Sequence, residues 1–271
     1  DDKINLKIYL SEETSKNCVD GHKVLARLTK KIDNQTYIAD CLKILGHKDD
    51  AGIDILSIAY KYGIFEEFSP ETEKELDNIP EEVSTKELVG RIDLTNDMIF
   101  TIDGADTKDI DDAISLTVKD NIYTLGVHIA DVSHYVKENT ALGDDAYERG
   151  TSSYLADTVI PMIPHKLSNG ICSLNEGVIR LTMSCVMDIN KNGDIINYDI
   201  FPSFIKSRKK MTYDNVNEIL ENNNIPEGYE EFANTLKQMN ELAHILRKKK
   251  VNRGYIEFDI PEAKIIQDEL G

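Results

Sequence analysis

The sequence predicts an α+β chain, in which a partial OB-type β-barrel is followed by a larger region of mixed sheet and helices. Three observations carry this. The β-prone runs LKIYL, HKVLARLTK and TYIADCLKILG fill residues 1 to about 48, as successive strands of a small barrel would. From about residue 90 to 210, apolar runs of strand period alternate with helical stretches. Two helical segments then follow, from about Tyr213 to Asn222 and from Tyr229 to Lys250.

Taken in order, the three N-terminal runs are too few for a five-stranded barrel. The piece is therefore expected to be truncated on its N-terminal side, which agrees with a first residue other than Met. Residues 51–63 read as a helix, with Ile53, Leu56 and Tyr60 at helical spacing. Phe68 to Val89 is acidic and contains Pro70 and Pro80, so it reads as a linker with a short helix starting near Pro70. The expected domains are thus residues 1–48, a connecting segment 49–89, and 90–271. The last of these is expected to be cut short, because IEFDIPEAKIIQDELG looks like a hairpin severed at its turn.

Composition narrows the function. The hydrophobic fraction of 41% suffices for a sizeable core. No run of about 18 apolar residues predicts a membrane span, and DDKINLKIYL has no signal-peptide pattern. Cys18, Cys41, Cys172 and Cys185 form no Cys-x-x-Cys pair. Zinc is not expected, and free thiols in a reducing cytoplasm fit better than disulfides. No Gly-x-Gly-x-x-Gly or P-loop supports a nucleotide cofactor. The net charge of −18 argues against nucleic-acid binding unless positive charge is local. Two basic runs could supply it: Lys206, Arg208, Lys209, Lys210, just before Tyr213, and Arg247 to Lys250, which also suits a solvated helix C-terminus.

The most informative stretch is TIDGADTKDIDDAISL, with Asp103, Asp109, Asp111 and Asp112 inside ten residues. β-prone runs flank it (Met98–Ile102 and Ala113–Val118), so the acids sit on a turn pinned at both ends, and Gly104 allows a tight bend. In extended backbone Asp109 and Asp111 would face one way and Asp112 the other. Carboxylates this close repel, and a divalent cation is the usual means of holding them together. Two or three of them with water would suit Mg²⁺, the apparatus of phosphodiester cleavage. A solvated acidic loop remains the alternative, since the chain has 49 acidic residues. A calcium loop is the other, although the EF-hand spacing is absent. His128, Asp131 and His134 also invite a metal reading, but His128 lies in an alternating run and reads better as a satisfied strand histidine.

TIDGADTKDIDDA resembles the signature of the ribonuclease II/ribonuclease R family in its catalytic RNB domain. The likeness continues through LGVHIADVSHYV, YERGTSSYLADTVIPMIPHKLSNGICSLN, RLTMSCVMDI, SRKKMTYDNV and RGYIEFDIPEAKI. It covers nearly the whole chain and is closer to the bacterial ribonuclease R branch. GHKDDAGIDILSIAYKYGI resembles the join between a cold-shock-type domain and the RNB domain. The resemblance implies a processive 3′→5′ exoribonuclease that needs Mg²⁺ and hydrolyses single-stranded RNA with a free 3′ end to nucleoside monophosphates, with no membrane partner. It implies Asp103, Asp109, Asp111 and Asp112 as the catalytic and metal-site residues. Asp103 and Asp112 would be direct ligands, and Asp111 the residue least dispensable for attack, within a two-metal scheme.

The same resemblance implies that Tyr154 and Phe258 clamp the 3′-terminal bases, with Tyr213 near the catalytic end. Without it, Phe258 would read as a core residue. It leaves Arg180 as a phosphate contact or, more in keeping with its place, a buttress of the acids. One departure is visible: the family reads SLNPxxDRLTMS where this chain has SLNEGVIRLTMS, Ser173 to Ser184. In the family the region continues, with a further Glu and an Arg-rich segment, so this piece alone is expected to bind metal poorly and cleave slowly. An RNB-like module that holds single-stranded RNA without cutting it is the competing reading.

Overall fold

The computed structural model describes residues 6–156, 158–256 and 258. They fall into two compact units, one of residues 6–67 with 151–162 and one of residues 68–150 with 163–258. Phe258, named above, is therefore described and exposed, but most of the segment it opens lies outside the described residues.

In the first unit, β1 (Lys7–Leu10), β2 (His22–Lys31) and β3 (Thr36–His47) form a sheet in the order β1-β3-β2. β2 and β3 are antiparallel with three register irregularities, and β1 joins β3 in parallel. These are the three N-terminal runs of the sequence. The helix α1 (Ile53–Lys61) follows, where Ile53, Leu56 and Tyr60 recur. Tyr60 packs edge-on against Phe65, and its hydroxyl accepts a hydrogen bond from Lys43 at 2.7 Å and donates to Glu67 at 2.8 Å. The Lys43 ammonium beside it holds the Glu67 carboxyl down to about 2. The hairpin of β8 (Ser153–Tyr154) and β9 (Val159–Ile160) belongs to this unit.

The second unit opens with α2 (Pro70–Leu76), which has the expected proline at its start and Ser69 as its cap. Its centre is a five-stranded sheet in the order β4-β11-β10-β7-β6, built from β4 (Ile92–Asp93), β6 (Asp112–Lys119), β7 (Ile122–Ala130), β10 (Ile179–Ile189) and β11 (Ile195–Lys206). Two short parallel strands, β5 (Thr101–Asp103) and β12 (Lys210–Thr212), lie beside it. α3 (Ala141–Arg149) runs between β7 and β8, and α4 (Tyr213–Glu221) follows β12 directly.

The long helix α5 (Ala233–Asn252) begins four residues later than the sequence predicts. Tyr229 and Phe232 are buried core residues in the approach to it, and the Tyr229 hydroxyl accepts a bond from the Asn215 amide at 3.1 Å.

Two core clusters position the acidic stretch. One joins Phe100 and Met211 to Val216, Ile219, Phe232 and Leu236, with the Phe100 and Phe232 rings edge-to-face at 5.6 Å. The other encloses Ile99, Ile110, Ala113, Ala130, Leu174 and Ile205. On the sheet, His128 is buried and bonded through Nδ1 to Ser184 at 2.7 Å and through Nε2 to Ser115 at 3.1 Å. Burial pushes its imidazole down to about 4, so it is neutral at pH 7. The satisfied strand histidine of the sequence reading is what the structure contains. Gly126 has a specific use here, because a Cβ on it would meet Ser115 Oγ at 2.3 Å and His128 Nε2 at 2.8 Å.

Phe232→Ala is expected to cost about 3–5 kcal/mol, the range for removing a buried aromatic ring. Denaturant unfolding monitored by circular dichroism measures it, and a loss under about 1 kcal/mol would contradict the core assignment.

Candidate active site

The acidic quartet lies between the end of β5 and the start of β6. Phe100 and Ile114 exchange two backbone hydrogen bonds, at 3.1 and 2.9 Å. Beyond that bridge Asp103 ends β5 and Asp112 begins β6, with residues 104–111 joining them. Asp109 and Asp111 are not in a strand, so the expectation that they share a face through extended backbone does not describe this loop.

Instead, the loop is held by stitches on either side of the buried Ile110. Ser173 Oγ accepts the Ile110 N–H at 3.1 Å and donates to the Lys108 carbonyl at 2.7 Å. Leu174 N–H donates to the Ile110 carbonyl, and Ala130 N–H to that of Asp111, both at 2.9 Å. The Lys210 ammonium donates to the Thr107 carbonyl and, at 3.4 Å, to that of Ala105.

The electrostatics match this crowding. The Asp103 carboxyl is raised above the ordinary aspartate range, by burial first and then by Asp112 and Asp111, while Lys210 and Thr101 pull the other way. Asp111 is also raised, by burial and then by Asp109 and Asp112. Its outer face is exposed. The buried Thr101 hydroxyl, which influences Asp103, makes no well-formed hydrogen bond of its own.

These four side chains offer hard, anionic oxygen donors that fit Mg²⁺ in kind. Among the described residues, no three His, Cys, Asp or Glu side chains are arranged to hold a metal ion together. The donor set therefore suits an ion held by two carboxylates with water completing its shell, rather than a closed cage.

Arg180 acts as the buttress. It is buried, and its Nε donates to the Ser173 carbonyl at 2.9 Å, behind the hydroxyl that grips the loop. The departure from the family motif is accommodated here. Glu176, where the family has Pro, accepts the Lys210 N–H at 2.8 Å. Arg180, with Ile179 before it instead of Asp, spends Nη1 on the Ile179 carbonyl.

Three residues of the basic run before Tyr213 have partners within the protein, although Lys206 and Arg208 are exposed. Arg208 bonds the Asn96 and Asp97 carbonyls, Lys209 lies 4.8 Å from the Tyr229 ring centre, and Lys210 ties the acidic loop. In the second run, Lys249 pairs with Asp194 and Lys250 stacks on Tyr255 at 3.7 Å, as a helix end would use them. A concavity of about 630 Å³ between Gly193, Leu246 and Arg253 holds none of the four acids.

Asp131 and His134 belong to a structural network. Burial would raise Asp131, but the Arg91 guanidinium beside it wins and holds it below the usual range. His134 bonds Glu87 at 3.1 Å.

The structure thus sets Asp103 within electrostatic reach of Asp112 and Asp111, and Asp111 within reach of Asp109 and Asp112, with Tyr213 one residue beyond Thr212, the strand partner of Asp103. Tyr213 is 58% exposed, as a stacking ring must be. Tyr154 is exposed on β8 in the first unit, and Phe258 follows α5 in the second. The site residues that the sequence reading missed as such are Ser173 and Thr101. Their only signal was membership of the SLN and TIDGAD blocks.

The RNB domain model matches residues 91–271, and a cold shock domain model matches residues 1–69. The chain belongs to the RNB family. It is 46% identical over 276 residues to Ribonuclease R 1 of Lactococcus lactis, covering 99% of this chain and 33% of that protein. To Ribonuclease R of Thermotoga maritima it is 47% identical, covering 100% of this chain and 39% of the relative. The structure of Mycoplasma genitalium RNase R in complex with ribose-methylated single-stranded RNA superposes with a TM-score of 0.90 at 29% identity, over 98% of this chain and 42% of that one. The chain thus spans between about a third and two-fifths of the length of these relatives. The α+β reading and the likeness to ribonuclease R are borne out. No helix among the described residues is long and apolar enough to cross a membrane.

Asp111→Asn is expected to raise the melting temperature of the metal-free chain at pH 7 by about 1–4 °C. The sign follows from a folded-state pKa raised above the unfolded one. The cost of the buried charge and of its repulsion by Asp109 and Asp112 is felt in full above the folded pKa and is absent below the unfolded value of 3.8. The gain should therefore vanish as the pH falls below that value. Calorimetry in EDTA at pH 3.5 and 7 checks it, and a destabilised variant at pH 7 would refute the repulsion.

Proposed function

We propose that this chain carries the phosphodiesterase centre of a cytoplasmic, processive 3′→5′ exoribonuclease that hydrolyses single-stranded RNA to nucleoside 5′-monophosphates. The observation supporting this reading is the pinned acidic loop, in which Asp103 and Asp111 are raised by burial first and then by neighbouring carboxylates. A fold that spends buried hydrogen bonds on holding carboxylates against mutual repulsion has a use for their charge.

Asp103 and Asp112 would hold Mg²⁺, and the ion would supply charge neutralisation at the phosphate and an activated water for in-line displacement. Asp111, with its raised pKa and open face, would accept the proton of the attacking water on a carboxylate oxygen. Asp109 would add to the burial that raises the Asp111 carboxyl. Ser173, Arg180 and Lys210 fix the loop carrying these groups, because loss of position costs rate steeply.

Tyr213 would stack on RNA near the cleaved end, and Tyr154 and Phe258 would clamp its terminal bases. Base–aromatic stacking contributes about 1–3 kcal/mol per base without regard to sequence. The Glu and Arg-rich segment that the resemblance places beyond these residues would complete the phosphate site. The chain on its own is accordingly expected to bind metal weakly and cleave slowly.

A second reading, an RNA-holding module without hydrolysis, draws support from the lack of three convergent ligands among the described residues. One assay separates the two. Within a protein of its relatives' length, the chain should release mononucleotides from single-stranded RNA with a free 3′ end and leave 3′-blocked RNA intact. Asp111→Asn should lower the rate by about 100-fold or more, the scale for losing a group that acts in the transition state. RNA retention with no mononucleotide release in Mg²⁺ would favour the module instead. In the same protein Tyr154→Ala should lengthen the final undegraded oligonucleotide, and unchanged end products on a denaturing gel would refute the clamp.

A further inference from the structure

The thiols of Cys18 and Cys41 lie 3.7 Å apart in the first unit. Cys18 belongs to the turn segment between β1 and β2, and Cys41 to the middle of β3. They are 23 positions apart, and their meeting is arranged by polar contacts on either side. Ser11 Oγ donates to Asp40 Oδ1 at 2.7 Å, and Cys41 N–H donates to Thr14 Oγ1 at 2.9 Å. The Ser11 and Thr14 hydroxyls bond each other at 2.8 Å. Cys18 N–H donates to the Ser15 carbonyl at 2.8 Å, which curls the segment back over the strand. Both sulfurs are only partly buried. A disulfide needs the sulfurs about 2.05 Å apart, a closure that side-chain rotation supplies when the backbone already holds the pair in contact.

We propose that Cys18 and Cys41 are a reversible redox modification site, converted by a low-molecular-weight disulfide into an intramolecular bond that staples the β1–β2 segment to β3. One cysteine thiolate attacks a sulfur of the oxidant and releases one small thiol. The second thiolate then attacks the mixed disulfide and releases the other. One S–S bond forms and one breaks, two protons are lost from the cysteines, and two electrons pass to the oxidant. Burial, then Cys18 itself, raises the Cys41 thiol, so oxidation should quicken as the pH rises. The reduced pair is the resting state in a reducing compartment. Cys172 serves as an internal control, because burial pushes its thiol up to about 12.

The test is incubation of the chain with oxidised glutathione, followed by thiol titration, intact mass and peptide mapping. The expected result is loss of two of the four thiols and of two hydrogens in mass. A Cys18–Cys41 peptide should appear, the melting temperature should rise, and dithiothreitol should reverse all of these. Cys18→Ser and Cys41→Ser should each abolish the two-hydrogen loss. Four thiols still titrating, stable glutathione adducts, covalent dimers, or a two-hydrogen loss that survives either substitution would each overturn the proposal.

Discussion

The constraint on which the site depends is a hydrophobic residue buried in the middle of an acidic loop. Ile110 has no exposed surface, and its side chain joins Ile99, Leu174 and Ile205 in the core. Asp109 and Asp111 flank it and cannot follow it inside, since an ionised carboxylate is costly to bury. They are held at the surface on either side of one anchor. Ser173 satisfies the backbone around that anchor, and Arg180 fixes Ser173. The parallel pairing of β5 with β12 then delivers Asp103 to the same place, with Lys210 alongside. Hydrophobic burial thus sets the geometry, and the repulsion of the carboxylates is its electrostatic consequence.

Lys210 tempers this repulsion without removing it. Lys210 lowers the cost of Asp103 and ties the loop carbonyls without cancelling the quartet. A fully neutralised cluster would be more stable and would have no affinity left for a cation. Proteins tolerate such local destabilisation where function needs it. The first unit shows the opposite balance. There Lys43, Tyr60 and Glu67 satisfy one another, and Glu67 is held well below its ordinary value.

Much of this was legible in the sequence. The three N-terminal strands, the helix beginning at Pro70 and the helix at Tyr213 follow from period, capping and proline, which are local properties. The acidic loop was legible as a pinned turn because apolar runs flank it. The inner order of the loop was not, because its stitches come from Ser173, Leu174, Ala130 and Lys210, far away in sequence. The basic run from Lys206 to Lys210 looked available for RNA, yet its partners Asn96, Asp97, Ala105, Thr107 and Tyr229 are visible only once the chain is folded. Tyr229 was expected to open the long helix, but the core takes it before α5 begins. The contact of Cys18 with Cys41 is likewise a product of strand pairing rather than of any spacing in the chain.

The fold holds Asp103 and Asp111 half out of water against other carboxylates. Carbon-detected NMR titration of the aspartate side chains in the metal-free chain tests this directly. Asp103 and Asp111 should titrate above the aspartate value of about 3.9 found in unstructured peptides, and added Mg²⁺ should lower both. Titration of both at or below that value, with no response to Mg²⁺, would contradict the account.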